Sequence, residues 1–196
     1  MSLKSNQLTV DLGVSAARAV WFQGSLIFVA ETSDVGVYSV EPTELVKRSS
    51  DNVSGFGGAS EAIALGDALV VAGPFRHHWG GNEAQQSAPT LLVYDSTLTA
   101  TYHSFDINSH INLDKFDDTI FAFWGVTDEL SYVSIDSKTG NVSDLTVLQE
   151  VLSPDVFMWI DRKAASVTQD SAALLSISTL GEVYLTYVDL NGESHK

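Results

Sequence analysis

The chain contains no cysteine. That removes disulfides, thiolate nucleophiles and cysteine-based zinc sites. It is also poor in cations, with 10 Lys and Arg against 25 Asp and Glu and a formal net charge of -15. Such a surface repels phosphate backbones and anionic headgroups. The cations Arg18, Lys47, Arg48, Arg76, Lys115, Lys138, Arg162 and Lys163 are scattered along the sequence, so no nucleic-acid partner is expected. No apolar run approaches the roughly 20 residues that cross a bilayer as a helix, and no membrane insertion is expected. The start, Met1-Ser2-Leu3-Lys4-Ser5, lacks the apolar stretch of a signal peptide. The chain therefore reads either as cytosolic or as one whose export signal is not part of this sequence. An acidic surface is tolerated best where salt screens it, which tilts the expectation toward an extracellular or periplasmic location.

What is present is a substantial apolar fraction, 44% of 196 residues, with 18% charged residues. This is enough for one domain with a real core. Four segments repeat one pattern of strand, tight turn and more apolar strand. They are Arg18–Phe22 with Ser25–Ala30, Glu61–Leu65 with Ala68–Gly73, Ile111–Phe116 with Thr119–Trp124, and Ala165–Thr168 with Ser171–Ile177. The turns between them hold Gln23-Gly24, Gly66-Asp67, Asp117-Asp118 and Gln169-Asp170, and residues of this kind suit tight hairpins. A third, Tyr-containing strand follows in each case: Val35–Val40, Leu91–Asp95, Leu130–Ile135 and Glu182–Val188. Fourth strands fit Glu44–Arg48, Thr99–Phe105 and Ser143–Gln149.

Repeats of about 40–50 residues with four strands each are the sequence mark of propeller blades. The expected fold is all-β: a single small β-propeller of about four blades, each of four antiparallel strands. The blades fall at approximately 17–48, 60–105, 110–149 and 163–190. The last repeat lacks a fourth strand, and Gln7–Leu12 is a spare one near the N-terminus. The expectation is that this strand closes the ring on the outside of the last blade, because closure removes exposed edges. A β-sandwich of similar strand count is the competing architecture.

The stretch Gly55–Pro74 resembles the FG-GAP repeat of integrin-type propellers. Phe56-Gly57, Gly66-Asp67 and Ala72-Gly73-Pro74 carry the resemblance, with Ala and Gly transposed. The resemblance covers about a quarter of the chain and implies a blade. The family's Asp-rich calcium loop is absent, so no calcium site is carried over. Asp136-Ser137-Lys138-Thr139-Gly140 also resembles turns of quinoprotein-like and lactonase-like propellers, which again bears on architecture alone.

Ligands of such folds bind where rigid sheets hold variable loops. The insertion Pro74–Pro89 carries Arg76, His77, His78 and Trp79 together. Links between repeats contribute Asp51 and Asn52, then Trp159 and Asp161. Indole faces stack on sugars or cations, while Arg, Asn and Asp orient polar groups. These eight residues are the candidate ligand set. Trp124 borders a corresponding loop, with packing between blades as its other reading. His77 and His78 are adjacent and point opposite ways on an extended chain, and no His-x-His or His-Glu-x-x-His spacing exists. No metal and no cofactor are expected. Asp114-Lys115 interrupts an inner strand, either as a paired charge or as a catalytic carboxylate. No Gly-x-Ser-x-Gly elbow, P-loop or dinucleotide fingerprint is present. The expected function is a non-enzymatic binding or protein-interaction module for a carbohydrate or protein ligand. The alternative is a carbohydrate- or lactone-active hydrolase or lyase. The oligomeric state is left open.

Overall fold

The computed structural model describes residues 17–30, 34–40, 45–52, 61–73, 90–105, 107, 111–126, 129–148, 156–157, 165–178 and 181–191. Every regular element among them is a strand. The first sheet runs β1 (Ala17–Phe22), β2 (Ser25–Ala30), β3 (Asp34–Val40) and β4 (Leu45–Asn52), in that order. The second runs β5 (Glu61–Leu65), β6 (Ala68–Ala72), β7 (Leu91–Tyr94) and β8 (Ala100–His103). The third unit comprises β9 (Asn112–Phe116), β10 (Thr119–Val126), β11 (Glu129–Asp136) and β12 (Thr146–Leu148). The fourth has three strands, β14 (Ala165–Val167), β15 (Ser171–Ser178) and β16 (Val183–Asp189). All pairings are antiparallel and follow the chain within each unit.

The repeat read from the sequence is therefore an all-β array of consecutive antiparallel meanders. Most strand ends shift by one to three residues from expectation, and two differences change the reading. The first fourth strand extends to Asn52, with Asp51 opposite Val35 and Asn52 opposite Asp34. Asp51 and Asn52 thus end a strand rather than belonging to a free link. A bulge between Val37 and Tyr38 absorbs the extra length. The second difference is β13 (Val156–Phe157), inside the stretch expected to be a plain link. It pairs with Val126 of β10 on one side and with Ile177 and Ser178 of β15 on the other. Units three and four are thereby continuous in one eight-stranded sheet.

The turns explain why the hairpins form. Gln23 and Gly24 both hold positive φ, 49° and 73°, as do Gly66 at 56° and Asp117 at 51°. At Gly66 the choice of residue is also steric, since a Cβ there would lie 2.9 Å from the Ser137 carbonyl oxygen. That close approach lets the Asp67 N–H donate to the same oxygen at 2.7 Å. After the third strands, aspartates organise the turn. Asp95 accepts from the Thr97 and Thr99 N–H groups, and Asp136 from those of Lys138 and Thr139. The Thr97 hydroxyl bond to Asp95 and the Thr139 hydroxyl bond to Asp136 do most to hold these carboxyls below the usual carboxylate range.

Strands β6 and β7 are buried on both faces, with every residue from Ala68 to Ala72 and from Leu91 to Tyr94 almost fully covered. One face, with Leu69, Val71, Leu92 and Tyr94, joins Phe22 of the first sheet. The other, with Val70, Leu91 and Val93, joins Ile120, Ala122, Trp124, Val133 and Ile135 of the third unit. A third core joins Phe123 and Leu130 to Val167, Leu174 and Val188 of the fourth unit. The four units, in three sheets, are thus packed in chain order around three apolar layers. At the edge of this stack, β1 lies beside β5, β5 beside β9, and β9 beside β14.

Carboxylates tie these inner strands together. The Leu113 N–H donates to Glu61 Oε2 at 2.9 Å, and the Val167 N–H donates to Asp114 Oδ2 at 2.8 Å. Each acid receives the N–H of the residue one place nearer the turn in the following unit. The Lys115 ammonium reaches back to the Ala64 carbonyl at 3.0 Å, and Gln23 Nε2 donates to Gly66 O and Asp67 Oδ1. Asp114 and Lys115 are accordingly paired groups that register one unit on the next.

Removing the Asp114 carboxylate leaves the N–H of the buried Val167 without its acceptor. Asp114→Ala is expected to cost about 1–2 kcal/mol of stability, a figure set below that of a fully buried charged bond because Asp114 is half-buried. Asp114→Asn retains an acceptor and should lose less. Urea midpoints of the two variants and the wild type check this, with an unchanged midpoint for Asp114→Ala as the contrary result.

Candidate functional site

The insertion between β6 and β7 leaves the second sheet at Gly73 and rejoins it at Thr90. The Gly73 N–H donates to the Thr90 carbonyl at 2.9 Å, closing the neck directly above the ladder of β6 and β7. Thr90 is buried and ties the neck to the next strand. Its N–H donates to the His103 carbonyl at 2.8 Å, and its Oγ1 accepts from the Phe105 N–H at 3.1 Å. Thr90 therefore extends β7 by side chain and backbone together, and both ends of the insertion are fixed to strands buried on both faces.

Aromatic groups line up beside this neck. His103 stacks on Phe105 at 6.4 Å with an interplanar angle of 6°, and Phe105 meets Trp124 at 5.3 Å. Trp124 is 2% exposed and belongs to the second core. Its packing role is thereby settled, and it is not a ligand platform. His103 Nε2 is buried and meets no hydrogen-bond partner among the described residues. Burial lowers the His103 pKa from its ordinary value of 6.5, so the neutral ring is favoured. Nothing in the sequence singled out His103, because a histidine at a strand end carries no pattern until its neighbours are known.

Of the eight candidate ligand residues, Asp51 and Asn52 end β4 as described above. Arg76, His77, His78, Trp79, Trp159 and Asp161 lie outside the described residues. The spare strand Gln7–Leu12, and Gly55–Ser60 and Pro74 of the FG-GAP-like stretch, lie outside them as well. Among the described residues there is no group of three or more His, Asp or Glu side chains able to hold a metal ion. No helix is long and apolar enough to cross a membrane, again among the described residues.

The lowered His103 pKa has a definite pH consequence. The unfolded chain takes up the proton more readily than the folded one, so this contribution is fully present above pH 6.5 and is lost as pH falls from there through the lowered pKa of the folded state. The melting temperature should decline as pH falls below about 6.5, and His103→Gln should flatten that decline. Parallel melting scans of the two proteins check it. An identical slope in the variant would show that other groups set the dependence.

Comparison with protein-family models and with curated proteins finds no match to this chain.

Proposed function

We propose that the chain is a non-enzymatic binding module, that its four stacked meanders are propeller blades, and that the Pro74–Pro89 insertion is the principal ligand-contacting element. The observation that carries the proposal is the neck. A segment rich in donors and aromatics springs from two strands that are covered on both faces, with its ends tied by Gly73, Thr90, His103 and Phe105. Rigid support of a polar, aromatic loop is the arrangement that binding surfaces share. Arg76, His77, His78 and Trp79 on that loop are the proposed contacts, joined by Asp51, Asn52, Trp159 and Asp161 from neighbouring segments. Carbohydrate or protein is the proposed ligand class, since an indole and a guanidinium together suit either.

The blade reading draws support from three features. The meanders follow the chain, their inner strands lie side by side in succession, and the same one-residue carboxylate step recurs between units. The second unit is proposed as an FG-GAP-like blade. Gln7–Leu12 is proposed as the missing fourth strand of the last unit, pairing with β16 and closing the row into a ring. Melting a chain that lacks residues 1–12 tests this closure; an unchanged melting temperature removes it.

The hydrolase reading draws less support. It needs a free inner-strand acid; Glu61 accepts the Leu113 N–H, and Asp114 is the acid that interrupts the third inner strand. One of its carboxylate oxygens is already engaged by the Val167 N–H.

A glycan array and an immobilised-lysate screen, followed by titration of hits, test the binding function. Trp79→Ala and Arg76→Ala should each weaken binding by about 1–3 kcal/mol without shifting the melting temperature. A lowered melting temperature with unchanged binding would instead make Trp79 a packing residue. Turnover on a panel of glycosides and lactones would replace the binding reading with the enzymatic one.

A further inference from the structure

The turn that follows β11 sits at the same end of the stack as the inner hairpin turns. The Ser137 carbonyl accepts the Asp67 N–H at 2.7 Å, and the Ser137 N–H donates to the Asp118 carbonyl at 2.9 Å. Strand β6 runs from Ala68, beside that contact, to Ala72, beside the bond between Gly73 and Thr90. The turn and the neck of the insertion therefore stand at opposite ends of β6.

Backbone bonds fix the chain as it returns from this turn. The Gly140 N–H donates to the Asp136 carbonyl at 2.8 Å, and the Asp136 N–H donates to the Asn141 carbonyl at 3.0 Å. Gly140 holds a φ of 71°, which supplies the reversal. The Ser143 N–H then donates to the Ser134 carbonyl at 2.8 Å. Between these bonds Val142 bridges to Ile135 and packs, partly buried, against the second core. Alternate side chains of an extended stretch face opposite ways. With Val142 turned inward, Asn141 and Ser143 share the outward side, and both are exposed.

Asn141-Val142-Ser143 is an Asn-x-Ser sequence with no proline at its centre, the acceptor pattern for a glycan on nitrogen. That chemistry needs a free carboxamide with a hydroxyl two residues on. The Asn141 backbone N–H donates to Thr139 Oγ1 at 3.3 Å, while its carboxamide makes no hydrogen bond among the described residues. The Ser143 hydroxyl is held in place, accepting the Ser134 N–H at 3.0 Å and donating to the Asp144 carbonyl at 2.9 Å. An adduct on the Asn141 carboxamide therefore displaces no backbone bond and no core side chain.

We propose that Asn141 is a site of N-linked glycosylation. The donor class is an oligosaccharide carried on a polyprenyl diphosphate. Asn141 Nδ2 forms a bond to the anomeric carbon of the sugar, and the bond from that carbon to the diphosphate oxygen breaks. The lipid diphosphate leaves with the electron pair, one amide proton passes to a base of the transferase, and nothing is oxidised or reduced. The proposal places the chain on an export route, where screening salt suits its acidic surface. The glycan would add a bulky, solubilising group at the end of β6 remote from the neck of the insertion.

Expression of the full chain behind a cleavable export leader in eukaryotic cells tests it, read by intact mass and peptide mapping. The product should exceed the 21.1 kDa chain mass by one glycan. An amidase that removes N-linked glycans should return it to the chain mass and leave Asp at position 141. Asn141→Gln should appear at the chain mass at once, whereas Ser143→Thr, which keeps the hydroxyl, should retain the glycan. The glycosylated and amidase-treated proteins should melt together, since the sugar touches no core group. Chain recovered from the cells or the medium with Asn141 unmodified overturns the proposal. So does a glycan carried by Asn52 alone, or a glycosylated protein that melts well below its treated form.

Discussion

Strands β6 and β7 are apolar on both faces, so the second sheet cannot bury itself and needs a partner on each side. Sheet-on-sheet burial of this kind is the constraint from which the rest of the described structure follows. It places the first sheet on one side and the third unit on the other. It also makes the order of the stack the order of the chain, because short connections reach only the neighbouring sheet. Apolar stacking alone does not fix how far one sheet slides on the next. The carboxylates of Glu61 and Asp114 supply that register, since each accepts a backbone N–H at one position in the following inner strand. Tyr132 adds a further tie by donating to the Leu190 carbonyl at 2.9 Å. Nonspecific burial and a few directional bonds thus divide the work between affinity and alignment.

Function enters where the stack is interrupted. The second unit has its two central strands buried on both faces, and it also tolerates an insertion between them. The two facts are connected. A hairpin anchored on both faces remains paired when its loop is lengthened, since loop-closure entropy grows only slowly with length. Thr90 then completes the ladder where the loop returns. The neutral, buried His103 ring belongs to this anchor, and burial lowers its pKa, which couples the support of the insertion to protonation below pH 6.5.

Strand positions were legible in the sequence because hairpin turns and apolar runs are local signals. Gln23-Gly24, Gly66-Asp67 and Asp117-Asp118 announce their turns, and the positive φ values at Gln23, Gly24, Gly66 and Asp117 bear this out. The two-residue β13 was not legible, because pairing through three residues leaves no periodicity to read. The Glu61 and Asp114 clips were hidden for a different reason: donor and acceptor lie about fifty residues apart. Trp124 shows the limit of reading chemistry from residue type. The sequence allowed it to face a ligand or to sit between sheets, and only its neighbours Phe105 and Val133 decide for burial. Likewise, Val183–Val188 reads like any other third strand. That one of its faces is bare depends on what stands beside it in space.

Amide hydrogen exchange tests most directly whether successive sheets are registered by inner-strand carboxylates. Along the inner strands, N–H groups directed away from the hairpin partner have no ladder bond, so they exchange quickly unless something else accepts them. The account predicts strong protection at Leu113 and Val167, approaching that of β6 and β7, with Val167 losing its protection in Asp114→Ala while β10 keeps its own. Fast exchange at Leu113 and Val167 in the wild type, beside a protected β6 and β7, would contradict it. The sheets would then be stacked by apolar burial with no fixed register between them.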